Sequence, residues 1–250
     1  MQRYFIGFDH VEDDQIWISG EDAHHISRVM RMKAGDSFIA VLPDGSSSQC
    51  KILQTAESKV FAKALGWKQE EKELPIKVAI GSGLPKGDKL EWIIQKGTEL
   101  GAHTFIPFNA ARSIVKWDPK KSEKKLVRWE KIAKEAAEQS HRTTVPGITP
   151  PVELMKLIET GLEYRFKVIA YEEEAKNGHS SKFASLLAKM TPGDSLLVIF
   201  GPEGGLTAEE VSILENNGFI SVGLGPRILR TETAPLYVLS AISYHFELMR

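Results

Sequence analysis

The hydrophobic period of this chain changes once, close to Ile76, and that change restricts the folds open to it. Upstream, apolar residues come in runs of strand length: Gln15–Ile18, Ser37–Leu42, Cys50–Leu53 and Lys59–Ala62. Asp44-Gly45, between the second and third runs, is a strong hairpin-turn signal. One helix is expected among them, from about Asp22 to Met32, opened by a Ser19-x-x-Asp22 pattern that resembles a capping box. The pattern suits a small β-barrel. Gln69–Glu73 is polar, ends at Leu74-Pro75, and reads as a linker. Beyond it, strand-like runs at 76–80, 104–106, 166–170, 195–200 and 219–222 alternate with helical patterns near 86–101, 122–140, 152–160, 181–190, 207–217 and 234–249. Such alternation predicts a parallel sheet with helices on both faces.

Two loops in the second half carry most of the functional signal. One is Phe200-Gly201-Pro202-Glu203-Gly204-Gly205-Leu206; the other is Leu224-Gly225-Pro226-Arg227-Ile228-Leu229-Arg230-Thr231-Glu232-Thr233-Ala234. Each places Gly and Pro just past a β run, at the carboxyl end of a strand, where open α/β sheets bind ligands. Glycine has no Cβ, so backbone N–H and C=O groups there can approach a ligand closely. Leu224, Ile228 and Leu229 are too apolar for a loop left in water, and their mixture with Gly and Thr suits an adenine-like ring plus a ribose. Thr207 and Glu210 form a capping box that starts the helix after the first loop.

Other features point away from other chemistries. With 250 residues the chain can bury a sizeable core, as one large domain or two smaller ones. No apolar run approaches the ~20 residues that span a bilayer, and the start has no apolar stretch of signal-peptide length. Cys50 is the single cysteine, so neither an internal disulfide nor a cysteine-built zinc site is expected, and a reducing cytoplasm is the expected compartment. Gly81-Ser82-Gly83-Leu84-Pro85-Lys86-Gly87 has Lys86 where a dinucleotide fingerprint needs Gly, and its Lys-Gly-Asp order is not that of a P-loop. It reads as a strand-to-helix turn. His24-His25 lacks partners at metal-ligand spacing, and no metal site is expected. No Gly-x-Ser-x-Gly elbow is present.

Net charge is −1, but its distribution is uneven. Between Lys116 and Lys134, eight Lys or Arg residues face three acids. Leu126, Trp129, Ile132, Ala133 and Ala136 recur at helical spacing and are expected to face the core, which leaves Lys121, Lys125 and Arg128 among the bases on the outer face. That face fits either a solvated lysine-rich helix or a surface that tracks phosphates. Arg142 ends the same segment, after Ser140-His141.

The two glycine loops together resemble those of the RsmE family of 16S ribosomal RNA uridine-N3 methyltransferases, in the SPOUT superfamily. Supporting stretches are His24–Arg31, Lys86-Gly87-Asp88-Lys89, Gln95–Gly101 and Glu135–Arg142. His141 departs from the family pattern, where Gly is most common, as does Thr98, where Ala is. The resemblance implies a PUA-like β-barrel over 1–72 and a SPOUT methyltransferase domain over 73–250 that ends in a deep trefoil knot. It also implies a homodimer, S-adenosyl-L-methionine as methyl donor, and as acceptor a uridine of the small ribosomal subunit RNA (1498 in the usual rRNA numbering). Phe200, Gly201, Pro202, Glu203, Gly204 and Gly205, with Leu224, Gly225, Ile228, Leu229, Arg230 and Thr231, are then expected to hold the donor. Arg28, Arg31, Lys86, Lys121, Lys125, Arg128 and Arg142 are expected to contact RNA. Arginine stays protonated and cannot be the base; Arg142, or else Arg230, is expected to orient the uracil and stabilise its anion. Glu203 and Glu232 are the nearest candidates for a proton acceptor, and each also fits a plain structural role. Two rival readings are a related enzyme acting on another RNA and a non-catalytic ribosome-assembly factor; the latter has no need of both glycine loops.

Overall fold

The computed structural model of the chain describes residues 1–56, 58–115, 119–172 and 181–249, with the side chains at 119–121 and 181 also outside the description. The chain groups into two units, Met1–Glu73 with Ala137–Thr144, and Leu74–Ala136 with Val145–Arg250. The first holds six strands: β1 (Arg3–Phe5), β2 (Val11–Glu12), β3 (Gln15–Ser19), β4 (Ser37–Val41), β5 (Ser47–Thr55) and β6 (Lys59–Lys68). They pair in the order β1-β4-β5-β6-β3-β2, and all neighbours are antiparallel except β1 and β4. The turn at Asp44-Gly45 joins β4 to β5, and the Asp44 carboxylate accepts the Ser46 N–H at 2.9 Å. Strand periodicity sets the core: on β6, Val60, Ala62 and Ala64 point inward between Lys59, Phe61 and Lys63.

The helix among these strands starts and ends earlier than its sequence suggests, and its second half is wound more widely than an α-helix. It runs Gly20–His24 and continues as a π-helical turn over His25–Val29. Ser19 is the N-cap, but its side chain makes no capping bond. The expected box therefore fails. Asp22 is one methylene shorter than the Glu or Gln the box uses, and Gly20 turns the chain at φ 68°. His25 bonds the Tyr4 hydroxyl at 2.9 Å, which gives it a packing role, while His24 is exposed. The expected linker is also pinned. Glu70 pairs with Arg3 at 2.9 Å, and the Arg3 hydrogen bond, followed by weaker contacts with Ser47 and Lys68, holds the Glu70 carboxyl down at about 2 despite its burial.

The second unit is a parallel sheet of β7 (Lys77–Gly83), β8 (Thr104–Asn109), β9 (Gly147–Ile148), β10 (Val152–Glu153), β11 (Phe166–Ala170), β12 (Ser195–Phe200) and β13 (Ile220–Val222). Its order is β10-β8-β7-β12-β11-β13, with β9 beside β8. Strands buried on both faces read as continuous apolar runs, and here successive residues feed two different cores. Val78, Ile80, Leu196 and Val198 meet the helices Lys89–Glu99, Pro119–Gln139, Ser181–Leu187 and Thr233–Ser243 on one face. Ala79, Leu197 and Ile199 meet Leu154–Gly161 and Ala208–Asn216 on the other. Trp129 and Ala133 are buried as the helical spacing predicts, while Leu126 and Ile132 pack at the rim. The order puts β7 and β12 side by side at the centre, so the loops after Gly83 and Phe200 leave the sheet as neighbours. Among the described residues, no helix is long and apolar enough to cross a membrane.

Candidate active site

Two close approaches shape the first glycine loop. A Cβ on Gly201 would lie 2.7 Å from the Gly205 carbonyl carbon and the Leu206 nitrogen, so only glycine lets the loop fold back on itself. A Cβ on Gly83, at the end of β7, would lie 2.6 Å from the Pro202 ring. The loop closes with the Gly205 N–H on the Pro202 carbonyl at 2.8 Å, and Gly205 sits at φ 69°, a region costly for other residues. Helix Ala208–Asn216 then starts on the expected capping box: Thr207 accepts the Glu210 N–H at 3.1 Å and Glu210 accepts the Thr207 N–H at 2.8 Å. The other Glu210 oxygen accepts the Ala111 N–H at 2.8 Å. Arg112 donates to the Gly204 carbonyl at 2.7 Å, so the segment after β8 grips the loop from outside.

The second loop leaves β13 and returns into the helix Thr233–Ser243. Together the two loops wall a pocket of about 490 Å³, a size typical of small-molecule sites. Phe200, Gly201, Pro202, Glu203, Gly204 and Gly205 line it from one side; Leu224, Gly225, Ile228, Leu229, Arg230 and Thr231 line it from the other. Thus all the residues expected to hold a donor meet in one cavity. Sequence reasoning missed Lys89 and Ala170-Tyr171-Glu172, which also line it. The second group sits at the carboxyl end of β11, the same position in the sheet that marked the glycine loops, but without Gly or Pro to signal it. Ile228 is 76% exposed at the pocket wall, an apolar surface left for a ligand to cover.

A model described as an RNA methyltransferase domain matches residues 72–243 of this chain, and one described as an RNA methyltransferase PUA domain matches residues 18–65. Ribosomal RNA small subunit methyltransferase E of Bacillus subtilis is 53% identical over all of this chain and 99% of that protein. The chain belongs to the RsmE family. The enzyme of the same name from Synechocystis is 31% identical over 96% of this chain and 77% of its own length. Ribosomal RNA small subunit methyltransferase E from Neisseria gonorrhoeae, in a crystal structure bound to S-adenosyl methionine, superposes with a TM-score of 0.83 at 25% identity and 97% coverage of each chain.

Within this RsmE-type pocket one ammonium serves two carboxylates. Lys89 Nζ lies 2.9 Å from Glu203 and 3.4 Å from Glu232. Glu203 also accepts the Lys86 N–H at 3.1 Å. Burial pushes the Glu203 carboxyl up, but the Lys89 hydrogen bond, the backbone N–H groups of Glu203 and Lys86, and the Lys89 charge together outweigh it and leave it below the usual range. Lys89 is raised in turn, first by the Glu203 hydrogen bond. A carboxylate held ionised by a fixed ammonium is a poor proton acceptor. Arg230 lines the pocket and, among the described residues, makes no ion pair.

The remaining expected residues are spread elsewhere. Arg28 and Arg31 are exposed in the first unit, with Arg31 at φ 53°. Lys86 has an exposed side chain beside its bond to Glu203. Lys125 and Arg128 both turn to Glu91, at 3.4 and 2.7 Å, which neutralises part of the basic face. The side chain of Lys121 lies outside the described residues, as does Lys116. Arg142 belongs to the first unit, is 3% exposed, and has its guanidinium bound to Glu73, with the Nε bond at 3.0 Å. Glu73 also accepts the Thr143 and Thr144 N–H groups at 2.9 and 3.1 Å.

Proposed function

We propose that this chain uses S-adenosyl-L-methionine to methylate N3 of a uridine in the 16S RNA of the small ribosomal subunit, the uridine at position 1498 in the usual numbering. The observation that carries the reading is the meeting of both glycine loops in one pocket of about 490 Å³. The residues fit the donor. A Cβ on Gly205 would stand in open space at the pocket wall, so its backbone is free to meet a ligand. Leu224, Ile228 and Leu229 supply an apolar wall for the adenine ring. When bound, the donor supplies a methyl group activated by its sulfonium.

The chain then has two tasks. The residues of the two loops would hold the donor, whose methyl group must be presented in line to N3. Loss of the N3 proton to solvent water spreads negative charge to the uracil carbonyl oxygens, and a preorganised donor aimed there lowers the barrier. We assign that role to Arg230, whose side chain makes no hydrogen bond or ion pair among the described residues, rather than to Arg142, whose guanidinium is occupied by Glu73. Glu203 holds Lys89 and serves the loop rather than the proton.

We further place the enzyme in the cytoplasm as a homodimer with a knotted C-terminus. Trp92, Tyr237, Tyr244 and Leu248 support the dimer: they are exposed apolar residues on the helices Lys89–Glu99 and Thr233–Ser243 and the turn that follows. Calorimetric titration with S-adenosyl-L-methionine, paired with nucleotide mapping of small-subunit RNA from a strain lacking the gene, tests the proposal. The expected result is saturable heat and one missing uridine methylation. No heat would leave an assembly factor, and a lesion in a different RNA would leave a related enzyme.

A further inference from the structure

The second glycine loop is held by few side-chain polar contacts for a loop that walls a binding pocket. Across residues 223–232, the pair between Lys89 and Glu232 is the one side-chain hydrogen bond or ion pair recorded among the described residues. It is an ion pair rather than a directed hydrogen bond. The Glu232 oxygen involved is screened from water and has no hydrogen bond. The first loop is anchored differently. Arg112 holds its Gly204 carbonyl, the Lys86 N–H holds Glu203, and Pro202 packs against Gly83. Lys89, at the start of helix Lys89–Glu99, binds Glu203 of that anchored loop at 2.9 Å while it reaches Glu232.

We propose that Lys89 is a positioning residue of the cofactor pocket, which by tying Glu232 to Glu203 fixes the second glycine loop against the first and so sets the affinity for the methyl donor. The inference rests on the reading of this pocket as the S-adenosyl-L-methionine site. Three features support it. Lysine suits the task, because a compact ammonium with three donors on a flexible stem can serve two carboxylates at once. Without it, two carboxylates face one another with no cation between them, and like charges push the loops apart. Finally, Lys89 itself lines the pocket, so a change in its position is felt where the ligand sits. Each of the three side chains is about one-third exposed or less. A lone pair of that kind contributes little to global stability, so loss of the tie alters the pocket before it alters the fold.

The test is titration calorimetry with S-adenosyl-L-methionine on wild type, Lys89→Met, Lys89→Arg, Glu232→Gln and the double variant Lys89→Met/Glu232→Gln, with thermal unfolding of each. The expected result is a tenfold or larger rise in Kd for Lys89→Met at an unchanged unfolding midpoint. Lys89→Arg, which keeps the charge, should stay within about threefold of wild type. The double variant should bind no more weakly than Lys89→Met alone, since both changes break the same tie. Losses that simply add, or wild-type affinity in Lys89→Met, overturn the tie while leaving the pocket assignment intact. Absence of heat with the wild type itself overturns the pocket assignment, and the tie with it.

Discussion

His141 adopts φ 60°, the left-handed region that costs a residue with a Cβ roughly 1–2 kcal/mol. The resemblance placed Gly at this position, and the backbone supplies the reason. Thr98, the other departure, is buried but donates its hydroxyl to the Ile94 carbonyl at 2.7 Å, so the extra oxygen is satisfied. Beside His141, Arg142 looks from sequence like the residue that meets the uracil. Its burial against Glu73, together with the Arg3 bond to its carbonyl at 3.0 Å, describes a clamp instead. Arg142→Met would leave Glu73 without its cation; because Glu73 is partly exposed, the expected loss is about 3 kcal/mol, at the lower edge of that for breaking a buried pair. The shift of the urea midpoint measures it. A single-turnover methylation rate under conditions where the variant is folded should change little; a fall of ~10²–10³ would return Arg142 to the reaction itself.

At the scale of elements, the legible parts were those whose signal is local. Gly and Pro past a strand end mark a ligand loop from one stretch of chain, and the donor-binding residues expected from the two loops met in one pocket. The Thr207–Glu210 box was legible for the same reason, whereas Ser19 and Asp22 matched its spacing without its chemistry. Lys89, Arg112 and Tyr171 were not legible, because each gains its role from a loop far away in sequence. The basic helix Pro119–Gln139 shows the same limit: its charge can be counted from sequence, but the carboxylate that quenches it lies on the helix Lys89–Glu99. Glu91→Gln should free Lys125 from this pair and free Arg128. If the face tracks phosphates, log K for small-subunit RNA against log salt should steepen by about 1, for the Arg128 charge released. An unchanged slope would mark the face as solvated only.

The first unit of the molecule is assembled from two separated parts of the chain, and this was hidden from a reading that divides a sequence at its linker. Glu73 binds only donors from Arg142, Thr143 and Thr144 among the hydrogen bonds described for it, and Arg3 donates to the Arg142 carbonyl. A fragment of residues 1–73 should therefore melt lower and more broadly by circular dichroism than the same unit within the full chain; an equal, cooperative melt would show that Ala137–Thr144 adds nothing. The arrangement also has a consequence in time. Synthesis runs from the N-terminus, and at ~5–20 residues per second the stretch between Glu73 and Thr144 takes about 4–14 s to add. Throughout that interval Arg3 lacks the Arg142 carbonyl and Glu73 lacks its donors. The part of the enzyme that leaves the ribosome earliest is thus completed late, after more than half of the polypeptide has been translated.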